Sequence, residues 1–182
     1  ASPAVVPSVT PTPVPTQPST VLTFVEVEFD DEGGVDGLDS VRLVAISPDG
    51  KHLYAAGRDD DAVAVFSRDS TTGALTFVEV QKDNVGAVDG LDTVISLTIS
   101  PDGNHIYAPS SKDNALAIFN RNSETGALDF SELVKNGVDG VEGLRGAFSL
   151  ALSPDGNYLY VASSDDQSVV VFSRDSTTGA LA

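Results

Sequence analysis

Cysteine, methionine and tryptophan are absent from the 182 residues. No disulfide, thiolate metal site or cysteine nucleophile is therefore available. No apolar run approaches the ~18 residues that a membrane-spanning helix needs, so membrane insertion is not expected. Basic residues are scarce: ten Lys and Arg stand against 27 Asp and Glu, a net charge of −17. A field of that sign repels phosphate backbones and anionic lipid, which removes nucleic acid and membrane surfaces from the expected partners. Histidine occurs only as His52 and His105. There is no Gly-x-Ser-x-Gly elbow, no phosphate-cradling glycine motif and no His-Glu-x-x-His.

What is present begins with a tail. Residues 1–21 gather most of the ten prolines together with Ser and Thr, a composition that favours extended polyproline II and builds no core. Thr10, Thr12 and Thr16 are candidate O-glycan carriers there, with a bare spacer as the competing reading. Ala1-Ser2-Pro3 would suit the end left by signal-peptide removal, and an extracellular or cell-surface location is expected.

After the tail the chain repeats. Ser47-Pro48-Asp49-Gly50 recurs at Ser100 to Gly103 and at Ser153 to Gly156, and Thr72-Gly73-Ala74 recurs at Thr125 to Ala127 and Thr178 to Ala180, each offset being 53. The units run 22–74, 75–127 and 128–180 within an array over 22–182. Each holds four short β-type runs separated by turn chemistry, exemplified by Val41 to Ile46, His52 to Ala56, Ala62 to Ser67 and Leu75 to Val80. Ser-Pro-Asp-Gly supplies a proline-fixed φ and a closing glycine for the first hairpin, and Ser70 to Gly73 closes the other. The third run is continuously apolar (Val63 to Phe66, Leu116 to Phe119, Val169 to Phe172) and requires cover on both faces. An all-β fold of β-propeller blades follows, as three four-stranded antiparallel repeats that form an incomplete ring.

Kelch and WD40 signatures are missing because there is no Trp. Phrases such as SPDGKHLYAAGRDDDAVAVFSRDSTTGAL instead resemble the lactonase-like, YVTN-type propeller repeats over residues 22–182. The resemblance implies the fold; its blades serve in lactonases and surface proteins alike.

The strand order places the loops after the second and fourth runs on one face, where most acids collect against Arg58, Lys82, Lys112, Lys135 and Arg145. Val35 to Asp39 and Val88 to Asp92 repeat Val-Asp-Gly-Leu-Asp, and Val138 to Glu142 is taken as the third copy. Asp36, Asp39, Asp89, Asp92, Asp139 and Glu142 offer hard oxygen ligands beside a flexible turn, which would suit Ca²⁺, with a solvated acidic turn as the competing reading. No cofactor is required by any motif. Near-identical blades present the same groups at each angle, whereas catalysis needs unlike groups at one point. Departures such as Arg42 against Ile95 and Phe148, or Arg145 against Asp39 and Asp92, are the only places for a unique site.

Three blades leave faces and edges bare. Leu22 to Val27 reads as an outer strand without its blade, while Val169 to Ser173 lacks an outer strand. Leu22, Phe24, Val25 and Val27 would therefore pair in trans with the strand carrying Val169 and Val171. The expectation is a non-enzymatic, exported scaffold that self-associates head to tail, in a closed ring or a fibre, with glycans as candidate further partners. The alternatives are part of a lactonase-like hydrolase and a carbohydrate- or peptide-binding module.

Overall fold

The computed structural model describes residues 22–182; the glycan candidates Thr10, Thr12 and Thr16 lie outside them. Three antiparallel sheets follow one another. The first blade comprises β1 (Val41–Ile46), β2 (His52–Gly57), β3 (Ala62–Arg68) and β4 (Leu75–Lys82). The second comprises β5 (Thr98–Ile99), β6 (His105–Ser110), β7 (Ala115–Arg121) and β8 (Leu128–Lys135). The third has β9 (Ala147–Leu152), β10 (Tyr158–Ser163) and β11 (Ser168–Ser173). Neighbours in sequence are neighbours in each sheet, so every blade is a meander.

Strand β5 is shorter than its counterparts for a local reason. Pro109 stands in β6 where Ala56 and Ala162 stand in the other blades, and it has no N–H for the ladder. Pairing between β5 and β6 stops at Thr98↔Tyr107, and only an isolated bridge, Val94↔Ser110, continues it.

The cores lie between blades. Tyr54, Val63 and Val65 of the first pack on Leu91, Ile106 and Phe119 of the second. Tyr107, Leu116 and Ile118 repeat this against Leu144, Leu159 and Phe172 of the third. Each such side chain, wholly withdrawn from water, stabilises by roughly 1.5–3 kcal/mol. Covered strands β3 and β7 are buried along Ala62–Phe66 and Ala115–Phe119, whereas β11 alternates because nothing covers its far side.

The ends differ from expectation. Leu22 to Val27 form no strand, and Leu22, Phe24, Val25 and Val27 are exposed. Glu26 accepts the Leu75 N–H as Glu79 accepts that of Leu128 at 2.8 Å, so the segment keeps one contact of an outer strand without its ladder. Beside β11 the chain's own Leu181 bridges Arg174, and Ala182 and Ser173 exchange main-chain bonds at 2.8 and 3.0 Å. The first register of the fourth-strand slot is thus taken in cis, while Val169 and Val171 stay exposed.

Candidate functional site

The acidic loops are a lacing of main-chain amides. Leu38 N–H donates to Asp30 Oδ1, Leu91 N–H to Asp83 Oδ1 and Leu144 N–H to Asn136 Oδ1, each at 2.9 Å. Across the loops, the N–H groups of Asp39, Asp92 and Arg145 donate to Asp60, Asp113 and Asp166 at 2.8–2.9 Å. Gly37, Gly90 and Gly143 close the repeated turn with φ of 92°, 87° and 89°, and a Cβ at Gly90 would lie 2.3 Å from Leu133 Cδ1. This geometry corrects the register of the motif: the third copy is Val141-Glu142-Gly143-Leu144-Arg145, not Val138 to Glu142.

Of the expected metal ligands, the structure joins Asp36 to Asp30 and Asp60, and Asp89 to Asp83 and Asp113, each trio with carboxylate oxygens within 4.8 Å. Asp39, Asp92, Asp139 and Glu142 belong to neither trio; Asp92 pairs with Lys112 at 3.1 Å, and Asp139 and Glu142 are exposed. Lys82 Nζ lies 2.8 Å from Asp36 and 3.2 Å from Asp60, and its hydrogen bond to Asp36, with that to Asp60, raises its pKa against the opposing effect of burial. The first trio therefore already holds a cation. In the second, burial pushes the Asp83 carboxyl up, with Asp113 and Asp89 adding to the rise.

Asn136 in the place of Asp30 and Asp83 indicates that the loop requires an acceptor rather than a charge. Asp83→Asn should accordingly change the free energy of unfolding by less than about 0.5 kcal/mol, whereas Asp83→Ala should cost ~1–2 kcal/mol by orphaning the Leu91 N–H. Equal effects of the two in urea titrations would contradict the lacing.

On the opposite face, a side-chain clasp joins successive blades. Arg121, buried, donates from Nε to Tyr54 Oη at 2.7 Å, from Nη1 to Gly103 O at 2.9 Å and from Nη2 to Asp49 Oδ2 at 3.0 Å. Tyr54 Oη donates in turn to Gly126 O at 2.9 Å. Nη2 also lies 2.7 Å from His52 Nδ1; a guanidinium only donates, so Nδ1 accepts and the imidazole is neutral with its proton on Nε2. Arg174 repeats the pattern with Tyr107, Gly156, Asp102 and His105 at 2.7, 3.0, 2.9 and 2.9 Å. Burial works to raise the Asp49 carboxyl, but bonds from Ser47, Lys51 and Arg121 outweigh it and hold it well below the carboxylate range. Both histidines are structural.

Burial first, then the adjacent guanidinium, lowers the pKa of His52 and His105 from 6.5. Below that pH the unfolded chain takes up protons that the folded chain resists, so this contribution to stability is present above 6.5 and declines as pH falls toward the folded-state values. Urea midpoints should fall from pH 7 to pH 5, and His52→Gln with His105→Gln should remove most of that slope; an unchanged slope in the double variant would refute the assignment.

A second meeting of unlike groups lies where β1, β9 and the segment leading into β5 approach one another. Arg42 and Leu43, Ile95 and Ser96, and Phe148 and Ser149 line an open cavity of about 480 Å³, joined by Arg58 from the loop after β2. Arg42 is exposed and has no carboxylate partner among the described residues, while Arg58 reaches Asp59 at 3.1 Å on the rim. Two guanidiniums over an apolar floor have the chemistry to hold an anion that brings an organic body with it. A cavity of equal volume between β8 and β11 is the slot that a fourth strand fills in the other blades.

The profile of a family described as lactonase, 7-bladed β-propeller, matches residues 27–138 and 95–182. A 6-phosphogluconolactonase of Formosa agariphila is 32% identical over 103 residues, which are 54% of this chain and 28% of that protein. A Bacteroides uniformis structure described as a 6-phosphogluconolactonase superposes with TM-score 0.68 at 28% identity, covering 82% of this chain and 40% of that one. The periplasmic gluconolactonase of Pseudomonas aeruginosa gives TM-score 0.63 at 26% identity, covering 78% and 37%. The chain thus spans well under half the length of these relatives.

These relatives overturn the expectation of a non-enzymatic scaffold built by head-to-tail association. The first of the departures from symmetry named in the sequence lies at this cavity, where Arg, Ile and Phe occupy equivalent positions 42, 95 and 148.

Proposed function

This chain belongs to the lactonase family of seven-bladed β-propellers, and on that premise we propose that it contributes three blades and an anion-holding wall to a hydrolase that opens a sugar lactone. The observation that supports this beyond the family is the pair Arg42 and Arg58 on the cavity between β1, β9 and the segment leading into β5. In lactone opening, water adds to the ring carbonyl, the ring C–O bond breaks, the released alkoxide takes a proton, and a carboxylate remains. Negative charge develops on the carbonyl oxygen and persists in the product, so fixed guanidinium donors at the cavity stabilise both. The neutral, clasped His52 and His105 lie at the other end of the strands and take no part.

Several relatives carry 6-phosphogluconolactonase in their names, and a phosphorylated lactone fits two guanidiniums better than a neutral one. The Pseudomonas relative is named a gluconolactonase, and the net charge of −17 opposes approach of a phosphate from afar. Ring opening of 6-phosphogluconolactone and of gluconolactone, followed by proton release with these blades in a closed ring, tests the reading. Turnover of the phosphorylated lactone above buffer, with a rate that rises with salt, is expected. Failure to open either lactone would refute it.

A further inference from the structure

The segment of the second blade that lines the Arg42 cavity is built unlike its neighbours. In the first and third blades the first strand is laddered where it borders the cavity, through Leu43↔Ala56 and Val44↔Ala55 in one and Ser149↔Ala162 and Leu150↔Val161 in the other. The equivalent residues of the second blade, Ser96 and Leu97, have no rung. Its ladder holds only Thr98↔Tyr107 and Ile99↔Ile106, because Pro109, which the repeat sets against Ser96, lacks an N–H. Ser96 and Leu97 are nonetheless buried, where main-chain polar groups ordinarily find partners. The approach to them is also strained. Thr93 has φ of 62°, in the left-handed region that a β-branched residue rarely adopts, while the equivalent Ser40 and Gly146 take 51° and 67° without a β-branch. Thr93 is kept there by its N–H, which donates to Asp61 Oδ1 at 2.6 Å.

We propose that Ile95 and Ser96 form a yielding wall of this cavity, and that Ile95 thereby sets which organic bodies the anion site admits. The proposal rests on the reading of the cavity as an anion site for its ligand, but not for its mechanics. Val94 and Leu97 are buried in the core between the first two blades and pin both ends of the segment. Displacement is thus confined to the two residues between them, which share the cavity lining with Arg42 and Phe148. Strands β1 and β9 cannot shift there without breaking rungs. Ile95 and Ser96 have none to break, and a shift that lets the φ of Thr93 relax releases strain. A ligand held by its anion at Arg42 and Arg58 therefore finds room for its body on the second-blade side, by favouring the displaced position of Ile95.

The test is amide hydrogen exchange read by NMR with these blades in a closed ring, together with titrations of inorganic phosphate and of 6-phosphogluconate, the acid that opening of the phosphorylated lactone yields. The Ser96 amide should exchange ~tenfold or more faster than those of Leu43 and Ser149. Pro109→Ala places in the second blade the residue that Ala56 and Ala162 supply in the others, and it lies outside the cavity lining. It should bring the Ser96 amide to within about threefold of the other two. In that variant 6-phosphogluconate should bind about fivefold more weakly, while phosphate, which needs the guanidiniums and no room beyond them, binds as before. Adding Ile95→Ala should restore 6-phosphogluconate binding, since the side chain that had to yield is gone. A Ser96 amide as slow as those of Leu43 and Ser149 in the unaltered protein would overturn the wall. Equal affinity for 6-phosphogluconate with and without Pro109→Ala, or a loss that Ile95→Ala leaves in place, would overturn its part in admitting ligand. Binding of neither probe to the unaltered protein would overturn that part too, by removing the anion site, and the Ser96 exchange rate tells this failure from a rigid wall.

Discussion

Replacing Arg121 with Met should lower stability by about 3 kcal/mol, while Arg68→Met should change it by less than ~0.5 kcal/mol. The two arginines occupy the same position of successive repeats and each donates to the glycine of its own hairpin, so composition and propensity do not distinguish them. Their surroundings do. Arg121 is withdrawn from water and engages Tyr54, Asp49, His52 and Gly103; without it, Gly103 O and the His52 acceptor are left unpaired inside the interface. Asp49 keeps a third of its side-chain surface in water and can recover solvation there, which is why the expected cost falls at the low end for a broken buried pair. Arg68 engages Gly50 alone. Urea midpoints of the two variants measure the difference directly, and similar losses would show that the guanidinium serves its own hairpin and not the blade interface. Tyr54→Phe provides a gentler check, with ~1 kcal/mol expected from the lost bond to Gly126 O.

The blade boundaries were legible because turn chemistry and hydrophobic runs are local. Ser-Pro-Asp-Gly and Thr-Thr-Gly-Ala fix where strands end, and the continuous apolar third strand announces cover on both sides; β1 starts and stops where the sequence places it, and β2, β3 and β4 run only one or two residues further. What was not legible depends on the neighbouring blade. Arg121 and Tyr54 are 67 residues apart, and only the docking of one blade on the next brings them together. Their recurrence at Arg174 and Tyr107 was a signal in the sequence, since a buried polar pair kept at one period marks an interface. The partners of the acids were hidden for a related reason. A carboxylate that accepts main-chain amides and one that awaits a metal are the same letter, and Asn136 in the place of Asp30 and Asp83 was the available clue. Pro109 was likewise visible as a break in a strand, although its consequence, a two-residue β5, appears only when it is set against the unbroken Ala56 and Ala162.

Arg42→Gln should reduce kcat/KM for lactone opening by about 10²–10³-fold, with fold and urea midpoint unchanged, when these blades are assayed in a closed ring. The side chain is exposed and makes no ion pair among the described residues, so its removal orphans no partner and costs little stability. Its position at the start of β1 sets it against Phe148 of β9 and Ile95 ahead of β5, so that on the proposed function an organic ligand would meet an apolar floor and its anion the guanidinium. The division of the loss between kcat and KM identifies what Arg42 holds. If it binds a phosphate, the loss falls mainly on KM and is small for the unphosphorylated lactone. If it holds the developing oxyanion, kcat falls for both lactones alike. Arg58, already engaged with Asp59 at 3.1 Å, should show the same pattern at smaller size, about tenfold. Full activity in the Arg42→Gln, Arg58→Gln double variant, measured on both lactones across ionic strength, would remove the cavity from the active site and leave the chemistry to blades beyond these three.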